Sequence, residues 1–193
     1  MKVIYKKYAA SQDIPVFDYV TKRKLTKYHT RETMAAMVAM GELYKDQKPP
    51  ADMPFFYSTG ELEYLDYYRE LAMSFTEEER NTPFTGLFAV DKAMPRMSPL
   101  DQFKIMRNMT QCLISIEYGL KGDNALFLDS LQGLLLAVKI SDYDGPVLIG
   151  AGKLYSDGST ACGFAEMLPD ELTNFSMVSP HDDPLVFFKQ NIQ

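Results

Sequence analysis

Apolar residues recur along this chain with a helical period in some segments and form short continuous runs in others. Thr30 is the expected N-cap of a helix that extends to about Tyr44, because apolar residues recur after it every three or four positions. One face of this helix carries Met34, Met37, Val38 and Gly41. Residues 61–80 also have a helical pattern but are strongly charged, and residues 81–97 are expected to form a loop.

A further helix is predicted over residues 98–118. The stretch SPLD supplies a serine N-cap and a proline at the first helical position, and Gly119 is the expected C-terminal stop. The apolar positions of this helix are Phe103, Met106, Met109, Leu113 and Ile116.

Short apolar runs predict buried strands between these helices. They cover Val3–Tyr5, residues 53–60, Asn124–Leu128, residues 145–152 and residues 184–189. After the third run, Asp129 or Ser130 can cap a helix with the sequence LQGLLLAVKI. Strands that alternate with helices indicate an α/β fold in one domain over residues 1–193, with a mainly parallel mixed sheet layered by helices.

Composition and charge narrow the possible partners. The formal net charge is −6, which disfavours nucleic acid because phosphate neutralisation needs a basic surface. The longest apolar run, Leu134–Val138, is too short to span a bilayer. Two cysteines form neither a disulfide framework nor a zinc site, so a reducing, cytoplasmic setting is expected. No metal or cofactor is implied.

One segment departs from the acidic average. Residues 21–31, TKRKLTKYHTR, contain five Lys or Arg residues and His29, without a carboxylate. Two interpretations stay open, a solvated segment at the start of a helix or a docking patch for an acidic partner.

Three segments carry a family resemblance. SPLDQFKIMRNMTQCLISIEYGLKG (98–122) resembles the part of β-ketoacyl synthases that precedes their nucleophilic cysteine. FFYSTGELEYLDYY (55–68) resembles the strand and loop that follow the family's first long helix, and VLIGAG (147–152) resembles the strand after the nucleophile helix. The resemblance covers roughly residues 30–168 and implies the N-terminal half of a thiolase-like fold.

The resemblance also implies a missing nucleophile. The family spacing places Leu131 at the cysteine position, and a shift of one residue places Gln132 there, the residue type typical of chain-length factors. A leucine cannot form a thioester, and the family's histidines lie in a second half that this chain lacks. The expectation is a non-catalytic subunit that pairs with a full-length β-ketoacyl synthase and meets acyl carrier protein only through that partner.

In such a subunit, helix 98–118 would reach toward the partner's acyl tunnel. Met106, Met109 and Leu113 lie at i, i+3 and i+7, where flexible side chains can limit the length of a growing chain in fatty acid, polyketide or polyene synthesis. The alternative interpretation of this stripe is ordinary core.

Two other functions remain open. One is a stand-alone thioester hydrolase or decarboxylase that uses Cys162, although its expected place is a small-residue junction between a loop and a helix. The other is a homodimeric acyl-binding module. A metal site at His181, Asp182 and Asp183 is disfavoured, because adjacent residues point in different directions.

Overall fold

The fold is α/β, with a five-stranded mixed sheet flanked by helices. A computed structural model describes residues 1–45, 47–60, 69–97, 103, 106–175 and 182–192. The strands are β1 (Lys2–Tyr8), β2 (Phe55–Thr59), β3 (Asn124–Leu128), β4 (Val147–Leu154) and β5 (Thr160–Met167). The longer helices are α1 (Arg31–Tyr44), α2 (Met109–Tyr118), α3 (Leu131–Ile140) and α4 (Pro184–Gln190).

The strand order is β1-β5-β4-β2-β3. β2 pairs in parallel with both β3 and β4, so the chain from β2 through α2, β3 and α3 to β4 forms a βαβαβ unit. β5 returns antiparallel to β4, and β1 pairs antiparallel with β5. Two of the four pairings are therefore antiparallel, which corrects the expectation of a mainly parallel sheet.

Two apolar layers cover the sheet. α1 and α2 pack on one face, where alternate strand residues such as Phe55, Tyr57 and Phe164 point. α3 and α4 pack on the other face, against the intervening residues, which include Phe56 and Ile149. Successive residues of each strand point to opposite faces of the sheet, and helices cover both faces. This explains why β2, β4 and β5 are buried almost throughout.

The predicted caps of α1, α2 and α3 are present where the structure describes them. The Thr30 side chain accepts a hydrogen bond from the Thr33 backbone N–H, and Ser130 accepts one from Gly133. Gly119 ends α2 in the left-handed conformation, with φ of 76°. Ser98, which the sequence predicts as a further N-cap, lies outside the described residues.

Four sequence-based predictions are wrong in their local structure. The helix predicted over 98–118 is interrupted before Met109, because Phe103 is helical but Met106 is coil and the next two residues form a turn. Residues 184–189 form a helix rather than a strand: Asp183 caps it through the Leu185 N–H, and Pro184 occupies its first turn.

The third and fourth errors concern two segments without an obvious period. Cys162 lies in the middle of β5 rather than at a junction between a loop and a helix. The expected loop over 81–97 contains consecutive helical turns from Gly86 to Arg96. A one-turn helix, Glu77–Arg80, precedes them with a capping box from Thr76 to Glu79. None of the helices in the described part of the chain is long and apolar enough to cross a bilayer.

Candidate functional site

The predicted strand–turn–helix frame is present between β3 and α3. Asp129 forms the sharp turn and has a positive φ of 47°. Ser130 follows it as N-cap of α3, and its own backbone N–H donates to the Ser58 hydroxyl over 3.0 Å. These contacts hold the start of α3 at the carboxyl end of β2.

Leu131 and Gln132 occupy the first turn of α3 but point in different directions. Leu131 is 4 % exposed and belongs to the apolar layer under α3, whereas Gln132 is exposed. In the first turn of α3, the Gln132 amide therefore faces the surroundings and the Leu131 side chain packs in the core. Neither side chain can attack a thioester, and the residue with positive φ is Asp129 rather than either of them.

The carboxyl ends of β2 and β4 form the point where the strand order reverses, since the chain adds β3 on one side of β2 and β4 on the other. Crevices at such points are the usual ligand sites of open α/β sheets. The fully buried carboxylate of Glu32 lies at this point. It accepts hydrogen bonds from the Tyr57 hydroxyl at 2.7 Å and from the Thr59 hydroxyl at 3.2 Å.

The environment of Glu32 favours a proton on its carboxyl group. Burial raises the pKa of Glu32 to about 7, although the Tyr57 and Thr59 hydroxyls act in the opposite direction. The side chain also touches β4 closely: a Cβ added to Gly152 would lie 2.5 Å from Oε1 of Glu32. Glycine at this position is what allows the carboxyl group to enter between α1 and the sheet.

The residue after Gly152 carries a charge that faces the opposite side of the sheet, towards the starts of α3 and α4. The Lys153 ammonium binds both oxygens of Asp129 at 2.9 Å and lies 3.8 Å from Asp183. Burial alone would lower the pKa of Lys153, but Asp129 and Asp183 outweigh it and raise that pKa. Lys153 therefore ties the sharp turn before α3 to the N-cap of α4, and its proton is firmly held.

β3 forms one edge of the sheet, and its flanks are apolar. In the part of the chain that the structure describes, β3 pairs with β2 alone. A cavity of about 260 Å³ lies on its α2 side and one of about 330 Å³ on its α3 side. Four aliphatic side chains around this edge are about half exposed or more: Ile116, Leu128, Leu136 and Ile140. We call β3 and these four side chains the β3 edge surface.

The three predicted acyl-tunnel residues do not form one stripe. Met106 is 47 % exposed and precedes α2, whereas Met109 is its first residue and packs on the core from its rim. Leu113 is 2 % exposed and belongs to the core itself. The expected i, i+3, i+7 face is broken at the turn before Met109.

The remaining candidates differ in accessibility. Cys162 is fully buried, and burial raises the pKa of its thiol well above the ordinary range. His29 is 5 % exposed, its pKa is lowered by burial, and its Nδ1 has no hydrogen-bond partner among the described residues. His181 lies outside the described residues, and Asp183 serves as a helix cap.

Sequence reasoning missed Glu32 and Lys153. Glu32 stands in the first turn of a predicted helix, where a carboxylate is common, and with about 3.6 residues per turn it lies opposite the predicted apolar face. No local signal therefore indicated its burial. Lys153 directly follows the run VLIGAG, at the carboxyl end of a predicted strand, and this position was the available signal. No protein-family model matches the chain, and no curated protein matches it.

Proposed function

We propose that this chain is a non-catalytic, thiolase-like subunit that pairs with a full-length β-ketoacyl synthase through the β3 edge surface. In this role it shapes the acyl tunnel of the partner, as a chain-length factor does, and the partner carries the nucleophile. The observation that carries the proposal is the contrast between the two edges of the sheet.

The two edge strands differ in charge. β1 has the sequence KVIYKKY, and lysines at a sheet edge discourage pairing with another chain. β3 has the sequence NALFL, without any charged residue, and half-exposed aliphatic side chains flank it. The β3 edge surface therefore lacks the protection that β1 has, and association with another protein would supply it.

The energetics of covering this surface favour a real interface. Burial of a complete aliphatic side chain stabilises a complex by about 1.5–3 kcal/mol. Ile116, Leu128, Leu136 and Ile140 are each about half exposed or more, so each adds on the order of 1 kcal/mol when a partner covers it. Backbone hydrogen bonds from the edge strand β3 would in addition orient the partner on this surface.

The frame at α3 supports a subunit without its own condensation chemistry. Leu131 fills the core where the resemblance places a nucleophile, and Gln132 presents an amide at the start of the helix. Condensation needs a thiolate and groups that stabilise an enolate. For the tunnel itself, Met106 and Met109 remain the candidates, because Leu113 is already packed in the core.

The test is co-purification from the native source, followed by light scattering of the isolated complex. The tagged chain is expected to retain a full-length β-ketoacyl synthase in a 1:1 molar ratio. Leu136→Lys should weaken this association by about tenfold or more, because it places a charge in the interface. Val186→Lys is the matched control: Val186 is 47 % exposed and lies on α4, which packs on the same face of the sheet but near β1 and β5.

Three results would overturn the proposal. If Leu136→Lys and Val186→Lys retain the synthase equally, the β3 edge surface is not the interface. If the chain is recovered only as its own dimer, the homodimeric acyl-binding module becomes the better explanation. Thioester turnover by the isolated chain, lost in Cys162→Ala, would instead establish the stand-alone enzyme.

A further inference from the structure

The five cationic side chains of the basic segment 21–31 fall into two groups that differ in their contacts. Lys22 and Arg31, at the two ends, bind backbone carbonyls. The Lys22 ammonium donates to the carbonyl of Ile116 at 2.5 Å, and Arg31 donates to the carbonyls of Ala9 and Gln12 at 2.8 and 3.0 Å. These two residues therefore fix the ends of the segment to the body of the protein.

The three cations between them are Arg23, Lys24 and Lys27, and all three are exposed. They lie on a 3₁₀ helix, Arg23–Tyr28, whose Tyr28 ring packs edge-on against Phe103. Within the described residues none of the three forms an ion pair; Lys27 lies 4.9 Å from the centre of the Tyr28 ring. We call these three side chains the basic patch.

Glu117, a carboxylate that contacts the segment in the described part of the chain, is bonded to Thr21 and Lys22 rather than to the basic patch. Glu117 is 6 % exposed and accepts hydrogen bonds from the Thr21 backbone N–H at 2.7 Å, the Thr21 hydroxyl at 2.5 Å and the Lys22 N–H at 3.2 Å. These donors and Lys22 outweigh burial and lower the pKa of Glu117, so it stays ionised. Glu117 therefore anchors the start of the segment and, among the described residues, no carboxylate neutralises the three cations.

The geometry of the 3₁₀ helix brings two of these like charges together. Side chains at i and i+3 of a 3₁₀ helix are eclipsed, so Lys24 and Lys27 stand on one side about 6 Å apart along the axis. Like charges at this spacing repel each other, and an anion bound from outside would relieve that repulsion. Carboxylates at i and i+4 of an α-helix are spaced by about 6 Å as well.

We propose that the basic patch docks an acidic helical segment of another protein. The rest of the chain argues for such a compact partner: outside residues 21–31, fifteen Lys and Arg residues stand against twenty-six Asp and Glu residues. An extended anionic surface, such as a bilayer or duplex DNA, would meet those carboxylates. A single acidic helix contacts only the patch, which is about 8 Å long from Arg23 to Lys27.

The test uses the purified chain and a labelled peptide of about fifteen residues with glutamates at i and i+4, and fluorescence anisotropy measures binding. Lys24→Glu with Lys27→Glu should weaken binding about tenfold or more, and added salt should weaken it further. Lys48→Glu with Lys189→Glu changes the net charge equally at exposed sites elsewhere and should weaken binding by less than about twofold. Lys24→Gln with Lys27→Gln repeats the test without new carboxylates.

Three outcomes would overturn the proposal. One is equal loss of binding in the patch and control variants, which would indicate an effect of net charge. Another is tighter, patch-dependent binding to anionic vesicles or duplex DNA than to the peptide. The third is equal binding of a peptide with glutamine in place of every glutamate. The measurement needs no ketosynthase, so its result is independent of the proposed function.

Discussion

Replacing Glu32 by glutamine removes one ionisable group from the core and changes little else. The amide oxygen can still accept the hydrogen bond from the Tyr57 hydroxyl, and the amide nitrogen can donate to the Thr59 hydroxyl. The side chain keeps its size next to Gly152, where space is tight. The variant therefore tests the titration of Glu32 separately from its packing.

The expected magnitude follows from the raised pKa. Burial raises the pKa of Glu32 from 4.5 to about 7 in the folded chain. Each pKa unit corresponds to about 1.4 kcal/mol, so this difference corresponds to about 3 kcal/mol of folding free energy. The folded state binds the proton more tightly than the unfolded state. The contribution of Glu32 is therefore fully present below about pH 4.5 and is lost as the pH rises to about 7.

Urea unfolding followed by circular dichroism measures this effect at a series of pH values. The free energy of unfolding of Glu32→Gln, relative to the wild type, should increase by about 3 kcal/mol between about pH 4.5 and pH 8. Tyr57→Phe should make the total loss of stability with pH larger and extend it to higher pH, because that hydroxyl stabilises the carboxylate. Parallel curves for the wild type and Glu32→Gln over the whole range would refute the assignment of a raised pKa.

Two further predictions concern single residues. Gly119→Ala should lower the free energy of unfolding by about 1 kcal/mol, because φ is 76° at this residue although the space around it is free. Gly86 is also in open space but has no positive φ, so Gly86→Ala should leave the free energy of unfolding almost unchanged. Thermal unfolding of both variants measures the difference. In the native protein a thiol reagent should modify the half-buried Cys112 and should react with the fully buried Cys162 only after urea is added. Mass spectrometry of the digested protein distinguishes the two sites. Rapid modification of Cys162 in the native state would contradict its burial.

The sequence predicts α1, β2, β3, α3 and β4 well, because each has either a clear period with a cap or a short apolar run between turn residues. It misses β5, whose sequence TACGFAEM is rich in small residues with weak strand preference. The reason is visible only in three dimensions. A Cβ at residue 163 would lie 2.4 Å from Phe188 of α4, so glycine is required where that helix crosses the strand.

The break before α2 is hidden for a different reason. The apolar positions from Phe103 to Leu113 keep a helical spacing through the turn at Arg107 and Asn108, so the pattern predicts one continuous helix. Asn108 has φ of −83° and ψ of 0°, and its side chain makes no capping hydrogen bond. No capping contact therefore marks the break, and the predicted stripe of Met106, Met109 and Leu113 is wrong because the helix is interrupted within it.

The first two residues of α3 have different surroundings, and these decide what each position can do. The side chain at position 131 points into the core, where leucine contributes packing that a reactive group would not supply. The side chain at position 132 is exposed in the first turn of the helix, where it can make a polar contact with a partner. A cysteine at 131 would be buried and inert, whereas one at 132 would meet the helix dipole that favours a thiolate. In the proposed complex, Gln132 is therefore the residue that faces the partner, and Leu131 is the residue that keeps α3 in place.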